Sequence, residues 1–185
     1  MGVCALRSEL TVFAVGKPTM LASHEVESLG EALVRRGQRL FVVEASAGGA
    51  LQAHLSAPAG ASRWFLGGLT CYHDSLKTAL LGLAPQTLIE HGAVSEASVR
   101  EMAACARRLS GADWVLVESG VYGPGGGSPE KPVGLVLIAM GDGATTQLAR
   151  HQFAGDRATI REAAAAQAVR DLHQAVSGNS SAILR

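Results

Sequence analysis

A tyrosine and a lysine five residues apart, Tyr72 and Lys77, are the side chains of this sequence best suited to acid–base chemistry. Burial lowers the pKa of a lysine and leaves an amine that can accept a proton, so the two could act as a pair. A lysine one turn inside a helix is more often a solvated surface charge, and a tyrosine at a strand end usually packs. His73 lies beside them and could act as a general base, although a lone loop histidine is more often a polar surface residue.

A second candidate segment, residues 44–49, joins a predicted strand to a predicted helix through Gly48 and Gly49. Backbone N–H groups and the helix dipole at such a turn favour an anion such as phosphate or carboxylate. Many such turns carry glycine for geometry alone, and this one is neither a Walker loop nor a GxGxxG dinucleotide turn. The turn by itself therefore favours the geometric interpretation over an anion site.

The third candidate segment, residues 120–132, is the most unusual in the chain, with five glycines and three prolines. A flexible linker would consist of glycine and serine without these prolines and charged residues, and it would not lie between two buried strands. We expect the segment to wrap a ligand or a neighbouring subunit. The histidines and carboxylates have no metal-ligand spacing, so the sequence predicts no metal site.

Apolar periodicity predicts strands that alternate with helices along the chain. A glycine pair inside one strand, Gly67–Gly68, predicts a bulge or a close backbone approach. The alternation predicts an α/β fold with a largely parallel sheet covered on both faces, in which ligands bind beyond the carboxyl ends of the strands. The predicted strands cover 39–44, 62–72, 114–117, 133–140 and 147–153, and the predicted helices begin at or are capped by Ser23, Ala50, Asp74, Pro85, Ser95 and Asp156.

The composition describes a hydrophobic and electrically neutral chain of 185 residues, which favours a single domain. Hydrophobic residues make up 48%, and 16 Lys+Arg balance 16 Asp+Glu, which excludes a disordered chain and argues against a nucleic-acid partner. Three cysteines without CxxC spacing indicate neither a disulfide framework nor zinc. Without a signal peptide or an apolar run of about 18 residues, we expect a cytoplasmic protein with no membrane partner.

The domain boundaries follow from the same patterns. We assign residues 23–176 to the domain and residues 1–22 to an N-terminal extension or an edge strand, since they hold the short apolar run 11–15. The small polar residues of 177–185 predict a flexible tail.

Five strings of the sequence together resemble, in order and spacing, the CinA C-terminal-domain family. The resemblance covers roughly residues 24–176. It implies a three-layer α/β/α sandwich that is commonly a homo-oligomer, a dimer or higher. The strings are EASAGG at 44–49, FLGG at 65–68 leading to Tyr72 and Lys77, HGAVSE at 91–96, SG at 119–120 running to GGGSPEKPVG at 125–134, and GDR at 155–157.

The resemblance also implies an activity, the hydrolysis of nicotinamide mononucleotide to nicotinate mononucleotide and ammonia, with no cofactor. A neutral chain fits a small nucleotide partner of this kind better than a polyanion. Longer members of the family carry an additional N-terminal domain, for which residues 1–22 are far too short. We therefore expect this chain to resemble the C-terminal domain of those longer members and not their N-terminal domain.

The family's site residues can be carried over position by position. The family lysine and tyrosine, which are catalytic, fall on Lys77 and Tyr72. The positions expected to bind substrate are two hydroxyls, one arginine and four glycines: Ser62, Ser119, Arg157, Gly48, Gly49, Gly123 and Gly125.

The family nucleophile does not carry over. Where the family turn reads ESCTGG, the serine position is Ala45 and the threonine position is Ala47. A methyl group cannot form an acyl-enzyme, and losing a serine nucleophile typically costs about 10⁶-fold in turnover. One hypothesis is a weakly active or inactive paralogue that keeps a nucleotide-facing pocket. The alternative is an active amidohydrolase, on this or a different amide, with Ser46 as the substitute nucleophile and Lys77 and Tyr72 as the acid–base pair.

Two further positions depart from the family pattern. Tyr122 stands where the family usually has a small alanine, and Leu76 precedes the lysine where a small residue is usual. A tyrosine side chain buries about 150 Å² or more, so we expect Tyr122 to fill part of the space of the nicotinamide ring. The sequence therefore predicts an altered pocket.

Overall fold

The computed structural model describes residues 10–14 and 20–178. Val15, the last residue of the apolar run, and the expected tail from residue 179 onward lie outside the described residues. The strands are β1 (Leu10–Ala14), β2 (Leu40–Glu44), β3 (Phe65–Thr70), β4 (Trp114–Gly120), β5 (Leu135–Gly141) and β6 (Thr146–Gln152). The helices are α1 (Ser23–Arg35), α2 (Ala50–Ser56), α3 (Asp74–Ala79), α4 (Pro85–His91), α5 (Glu96–Ser110) and α6 (Arg157–Val176), with a 3₁₀ turn at Ala61–Arg63.

The six strands form one mixed sheet in the order β1-β6-β5-β4-β2-β3. Strand β5 runs antiparallel to β4 and β6, while the other neighbouring pairs are parallel. Strand β1 lies at one edge, where Leu10 pairs with Leu148 of β6. The predicted α/β fold with a largely parallel sheet is confirmed.

Helices cover both faces of this sheet. Alternate residues of β4 supply both cores: Leu116 packs in a cluster with α1, α2 and α6, whereas Val115 and Val117 pack in a second cluster with α5. Helix α6 buries a run of alanines, Ala163–Ala166, whose small side chains and high helix propensity suit a helix packed closely on its neighbours. The architecture is the three-layer sandwich that the resemblance implied.

The glycine pair of β3 produces the predicted irregularity. Leu40 pairs with Phe65 but Phe41 pairs with Gly67, so Leu66 is the extra residue of a bulge. Gly67 has φ +115°, which a residue with a side chain rarely adopts. A Cβ on Gly68 would lie 2.5 Å from the Val42 carbonyl oxygen, so the close backbone approach is confirmed as well.

Helices α2 and α4 begin at the predicted Ala50 and Pro85, whereas the predicted N-caps are confirmed at two positions and differ at two others. The Ser95 and Asp156 side chains accept backbone N–H groups as N-caps of α5 and α6. The predicted caps Ser23 and Asp74 are instead the first helical residues. The His73 ring caps α3 by accepting the Ser75 N–H, which leaves the Asp74 carboxylate to other partners.

Candidate functional site

A pocket of about 190 Å³ opens beyond the carboxyl ends of β2, β3 and β4. This is the edge at which open α/β sheets bind ligands, because loops and helix N-termini meet there. The pocket brings together six residues singled out in the sequence, namely Ala45, Ser46, Tyr72, Lys77, Tyr122 and Arg157, and adds Asp74, Ala93 and Gly120.

Lys77 is almost fully buried at the pocket, with 2% of its surface exposed. Its ammonium donates to the Asp74 carboxylate at 2.9 Å and to the Tyr72 carbonyl oxygen at 3.1 Å. Asp74 is available for this ion pair because His73 takes the capping position. Lys77 therefore serves as the hydrogen-bond donor in both of these contacts.

The Tyr72 side chain is half exposed and points to a different partner. Its hydroxyl accepts a hydrogen bond from Arg157, while Lys77 contacts only its backbone carbonyl. Arg157 also donates to the Gly123 carbonyl at 2.9 Å, so it joins the loops that follow β3 and β4 to the start of α6. Among the described residues it forms no ion pair, which leaves its charge available to an anionic group.

Ala45 and Ser46 form the wall contributed by the turn after β2. The Ala45 methyl is buried, and the Ser46 Oγ accepts a hydrogen bond from the Gly120 N–H at 3.0 Å. Within the described residues, Ser46 makes no hydrogen bond to Lys77 or Tyr72. The contact that would activate Ser46 as a nucleophile is therefore not formed in this structure.

Two buried carboxylates occupy the N–H groups of the 44–49 turn. Glu44 accepts from the N–H groups of Gly49 (2.8 Å), Leu51 (3.3 Å) and Gln52 (2.8 Å). Glu118 accepts from those of Ser46 and Ala47. Gly48 and Gly49 have φ +69° and +98°, so they serve the geometry of the turn. The chain's own acidic side chains satisfy donors that the sequence offered to an external anion.

Glu118 is a buried residue beside the pocket that the sequence did not single out. The pKa of Glu118 is raised to about 7, chiefly because the carboxyl is buried. The neighbouring Glu44 also raises this pKa, whereas the hydrogen bonds from Tyr122, Ala47 and Ser46 lower it. The Tyr122 hydroxyl donates to it at 2.6 Å, and burial together with Glu118 holds the pKa of Tyr122 well above its usual value. The sequence feature that could have identified Glu118 is its position as an acidic residue at the end of the otherwise apolar run WVLVE.

The remaining predicted positions differ in how near they lie to the pocket. Ser119 is buried and donates to the Ala93 carbonyl at 3.0 Å, so it supports a pocket wall without lining the pocket. Ser62 is exposed in the 3₁₀ turn that precedes β3, so it lies at the opposite end of that strand from the pocket. Gly123 contacts the site through its carbonyl, whereas a Cβ on the exposed Gly125 would contact none of the described atoms.

Two further properties concern possible metals and membranes. Among residues 10–14 and 20–178, no three His, Cys, Asp or Glu residues form a group that could hold a metal ion. No helix in these ranges combines the length and apolar character that a membrane crossing requires.

Comparison with known proteins gives consistent matches. A model of the CinA C-terminal domain matches residues 23–176. The "CinA-like protein" of Desulfotalea psychrophila is 43% identical over 137 residues, which are 74% of this chain and 33% of that protein. The "Nicotinamide-nucleotide amidohydrolase PncC" of Escherichia coli is 40% identical over 152 residues, 80% of this chain and 90% of that one. The chain thus spans about a third of the CinA-like relative and most of the amidohydrolase.

Solved structures agree with the sequence matches. A competence-damaged protein (CinA) superfamily protein from Klebsiella pneumoniae superposes with a TM-score of 0.81 at 32% identity, covering 84% of this chain and 98% of that one. The competence/damage inducible protein CihA from Agrobacterium tumefaciens gives 0.76 at 29% identity, covering 86% and 99%. The whole three-layer arrangement is thus shared with these proteins.

Proposed function

Since the chain belongs to the CinA C-terminal domain family, we propose that it binds nicotinamide mononucleotide, or a closely related nucleotide, in the pocket beyond β2, β3 and β4. The relative named a nicotinamide-nucleotide amidohydrolase supports this ligand class. The guanidinium of Arg157, which forms no ion pair with the described residues, suits a phosphate group, because arginine binds phosphate oxygens with parallel N–H donors. The Lys77 ammonium uses two of its N–H groups within the protein, and its third can reach a ligand acceptor.

We propose further that hydrolysis of this ligand is weak or absent. In the reaction, an oxygen nucleophile adds to the carboxamide carbon, the C–N bond breaks, ammonia leaves with a proton, and water releases the acid. The observation that carries the proposal is the buried Ala45 methyl at the position of the family serine. With no oxygen there, the pocket retains groups that bind and polarise a ligand but lacks the atom that attacks it.

The alternative function is amide hydrolysis with Ser46 as the nucleophile. It is supported by the position of Ser46 in the pocket and by its Oγ, which accepts from the Gly120 N–H and donates to none of the described residues. A base must come within about 3 Å of this hydroxyl. Ligand binding would have to turn Ser46 away from Gly120, and the Lys77 ammonium would have to lose a proton and leave Asp74.

Binding and ammonia release from the purified protein test these two functions. Titration calorimetry with nicotinamide mononucleotide measures binding, and a coupled assay measures ammonia. Binding without ammonia supports the proposal, whereas ammonia release that disappears in Ser46→Ala supports the alternative. If neither binding nor release occurs, a structural or partner-binding role replaces both.

We also propose that the protein is a cytoplasmic homo-oligomer of two or more copies. Three large apolar side chains on or beside α3 and α4, Leu76, Leu80 and Ile89, are 40%, 54% and 76% exposed. Large apolar side chains left exposed in this way can be buried in a protein–protein contact. Light scattering after size-exclusion chromatography measures the mass, and a monomer at micromolar concentration would contradict the proposal.

A further inference from the structure

One buried carboxylate connects the two segments that form opposite sides of the pocket. Glu118, at the end of β4, has none of its surface exposed. One of its oxygens accepts the N–H groups of Ser46 at 3.2 Å and Ala47 at 2.8 Å. The other accepts the Tyr122 hydroxyl at 2.6 Å. The turn after β2 and the loop after β4 therefore share one acceptor.

Backbone contacts reinforce the same junction. The Ala45 N–H donates to the Glu118 carbonyl at 2.9 Å, and the Gly120 N–H donates to Ser46 Oγ at 3.0 Å. The Tyr122 ring lies against Gly120, where an added Cβ would be 3.1 Å from a ring carbon. Every pocket residue of the turn and of the loop is thus bonded to Glu118 or to a neighbour that is.

We propose that Glu118 is a positioning residue of the ligand pocket, which holds the Ser46 turn and the Tyr122 ring in the arrangement that the ligand requires. The identity of the ligand rests on the function proposed above, but the positioning role does not. Nothing in the geometry requires Glu118 to touch the ligand, since it is absent from the pocket lining and acts through Ser46, Ala47 and Tyr122.

The ionised form of Glu118 fits these contacts best, because all three partners donate to it. A protonated carboxyl must itself donate a hydrogen bond, which reverses the bond to Tyr122 and leaves the tyrosine O–H without this acceptor. The charged and titratable groups around the junction are Glu44 of β2, Tyr122, and Arg157 of α6, which acts on Tyr122. Since the pKa of Glu118 is about 7, the switch between the two forms falls near neutral pH.

The expected pH dependence has a definite direction. Only the ionised fraction is competent to hold the pocket, and the apparent affinity of a ligand scales with the competent fraction. With a pKa of about 7, that fraction falls roughly tenfold between pH 8 and pH 6. Affinity for nicotinamide mononucleotide should fall by about the same factor.

Titration calorimetry from pH 6 to pH 8.5 tests this on the wild type, Glu118→Gln and the control Glu27→Gln, which alters an exposed carboxylate of α1. Glutamine keeps the size of the side chain but cannot accept all three donors. We expect weaker binding without the tenfold pH dependence in Glu118→Gln, and wild-type behaviour in the control. Protonation of the ligand phosphate affects binding to all three proteins equally, so it does not produce a difference between them. An equal pH dependence in Glu118→Gln would overturn the proposal.

A measurement without ligand keeps the positioning role separate from the ligand's identity. The amide resonances of Ser46 and Ala47, followed by NMR against pH, should shift with a midpoint near 7 in the wild type and stay constant in Glu118→Gln. Amide resonances that do not shift with pH in the wild type would refute the positioning role of Glu118, even if the nucleotide binds. If the nucleotide fails to bind but the resonances titrate, the proposed ligand is wrong and the positioning role stands.

A second variant covers the case in which Glu118→Gln does not fold. Tyr122→Phe keeps the ring and removes only the hydroxyl that donates to Glu118. A hydrogen bond to a charged group is stronger than one between neutral groups, so we expect nucleotide binding to weaken about tenfold or more. Unchanged affinity in a folded Tyr122→Phe protein would count against the proposal.

Discussion

The buried Glu118 should make the protein less stable as pH rises through neutrality, and Glu118→Gln should abolish that dependence. Its pKa is raised from 4.5 in the unfolded chain to about 7 in the folded protein, chiefly by burial. A group with a raised folded pKa binds more protons when folded. Its stabilising contribution is therefore complete below the unfolded pKa and is lost as pH rises through the folded value.

The magnitude follows from the two pKa values. Between pH 5 and pH 8 the linkage relation gives a loss of roughly 2.5 kcal/mol in unfolding free energy for the wild type. Glutamine has no proton to bind, so Glu118→Gln should lack this component while retaining the contributions of all other groups. The difference between the two proteins should therefore change by about that amount across the range.

Urea denaturation at pH 5, 6, 7 and 8 measures this difference, with Glu27→Gln as the matched exposed-carboxylate control. The control should follow the wild type at every pH. A difference between wild type and Glu118→Gln that stays constant with pH would show that Glu118 has an ordinary pKa. The account of its burial, and of the pH-dependent pocket, would then be refuted.

Four other variants test separate parts of the site. Ala45→Ser should produce measurable but slow ammonia release from nicotinamide mononucleotide. The absence of ammonia release in this variant would show that the pocket itself no longer accepts the amide. Arg157→Ala should weaken binding of that nucleotide at least tenfold and leave nicotinamide riboside, which lacks the phosphate, unaffected; equal losses would argue against a phosphate contact. Asp74→Asn should lower the unfolding free energy by about 1 kcal/mol in urea, since it removes the partner of buried Lys77 but Asp74 itself is largely solvated. Asp156→Ala removes the cap of α6 and should lower the midpoint of urea unfolding, while an unchanged midpoint would contradict the capping role.

The sequence predicted the elements well because apolar periodicity reports directly on which faces are buried. Helix α5, with its Ser95 cap and the Gly111 end at φ +63°, follows its predicted pattern closely. The cap of α3 was predicted one residue late, because Asp and His can both accept the N–H and the local sequence does not show which one does.

The site was only partly predictable for a different reason. Tyr72 follows β3, Lys77 lies in α3 and Arg157 begins α6, and the fold brings them together at the carboxyl ends of the strands. Which atom each side chain contacts depends on distances that no spacing fixes. The Tyr72 hydroxyl thus binds Arg157, and Lys77 binds Asp74. The interior acceptor Glu118 escaped prediction because its partners, apart from Tyr122, are backbone N–H groups that the sequence does not mark.

The same carboxylate bears on why restoring the nucleophile at Ala45 should give only slow hydrolysis. Attack on an amide places negative charge on its oxygen, which serine enzymes commonly stabilise with the backbone N–H of the residue after the nucleophile. Here that N–H belongs to Ser46 and is already bound to Glu118, as is the next one along. One missing donor of this kind costs about 10²–10³-fold in turnover. Under the proposed function, the Ala45 methyl and the Glu118 acceptor therefore oppose hydrolysis independently, and we expect the pocket to hold a nucleotide without cleaving it.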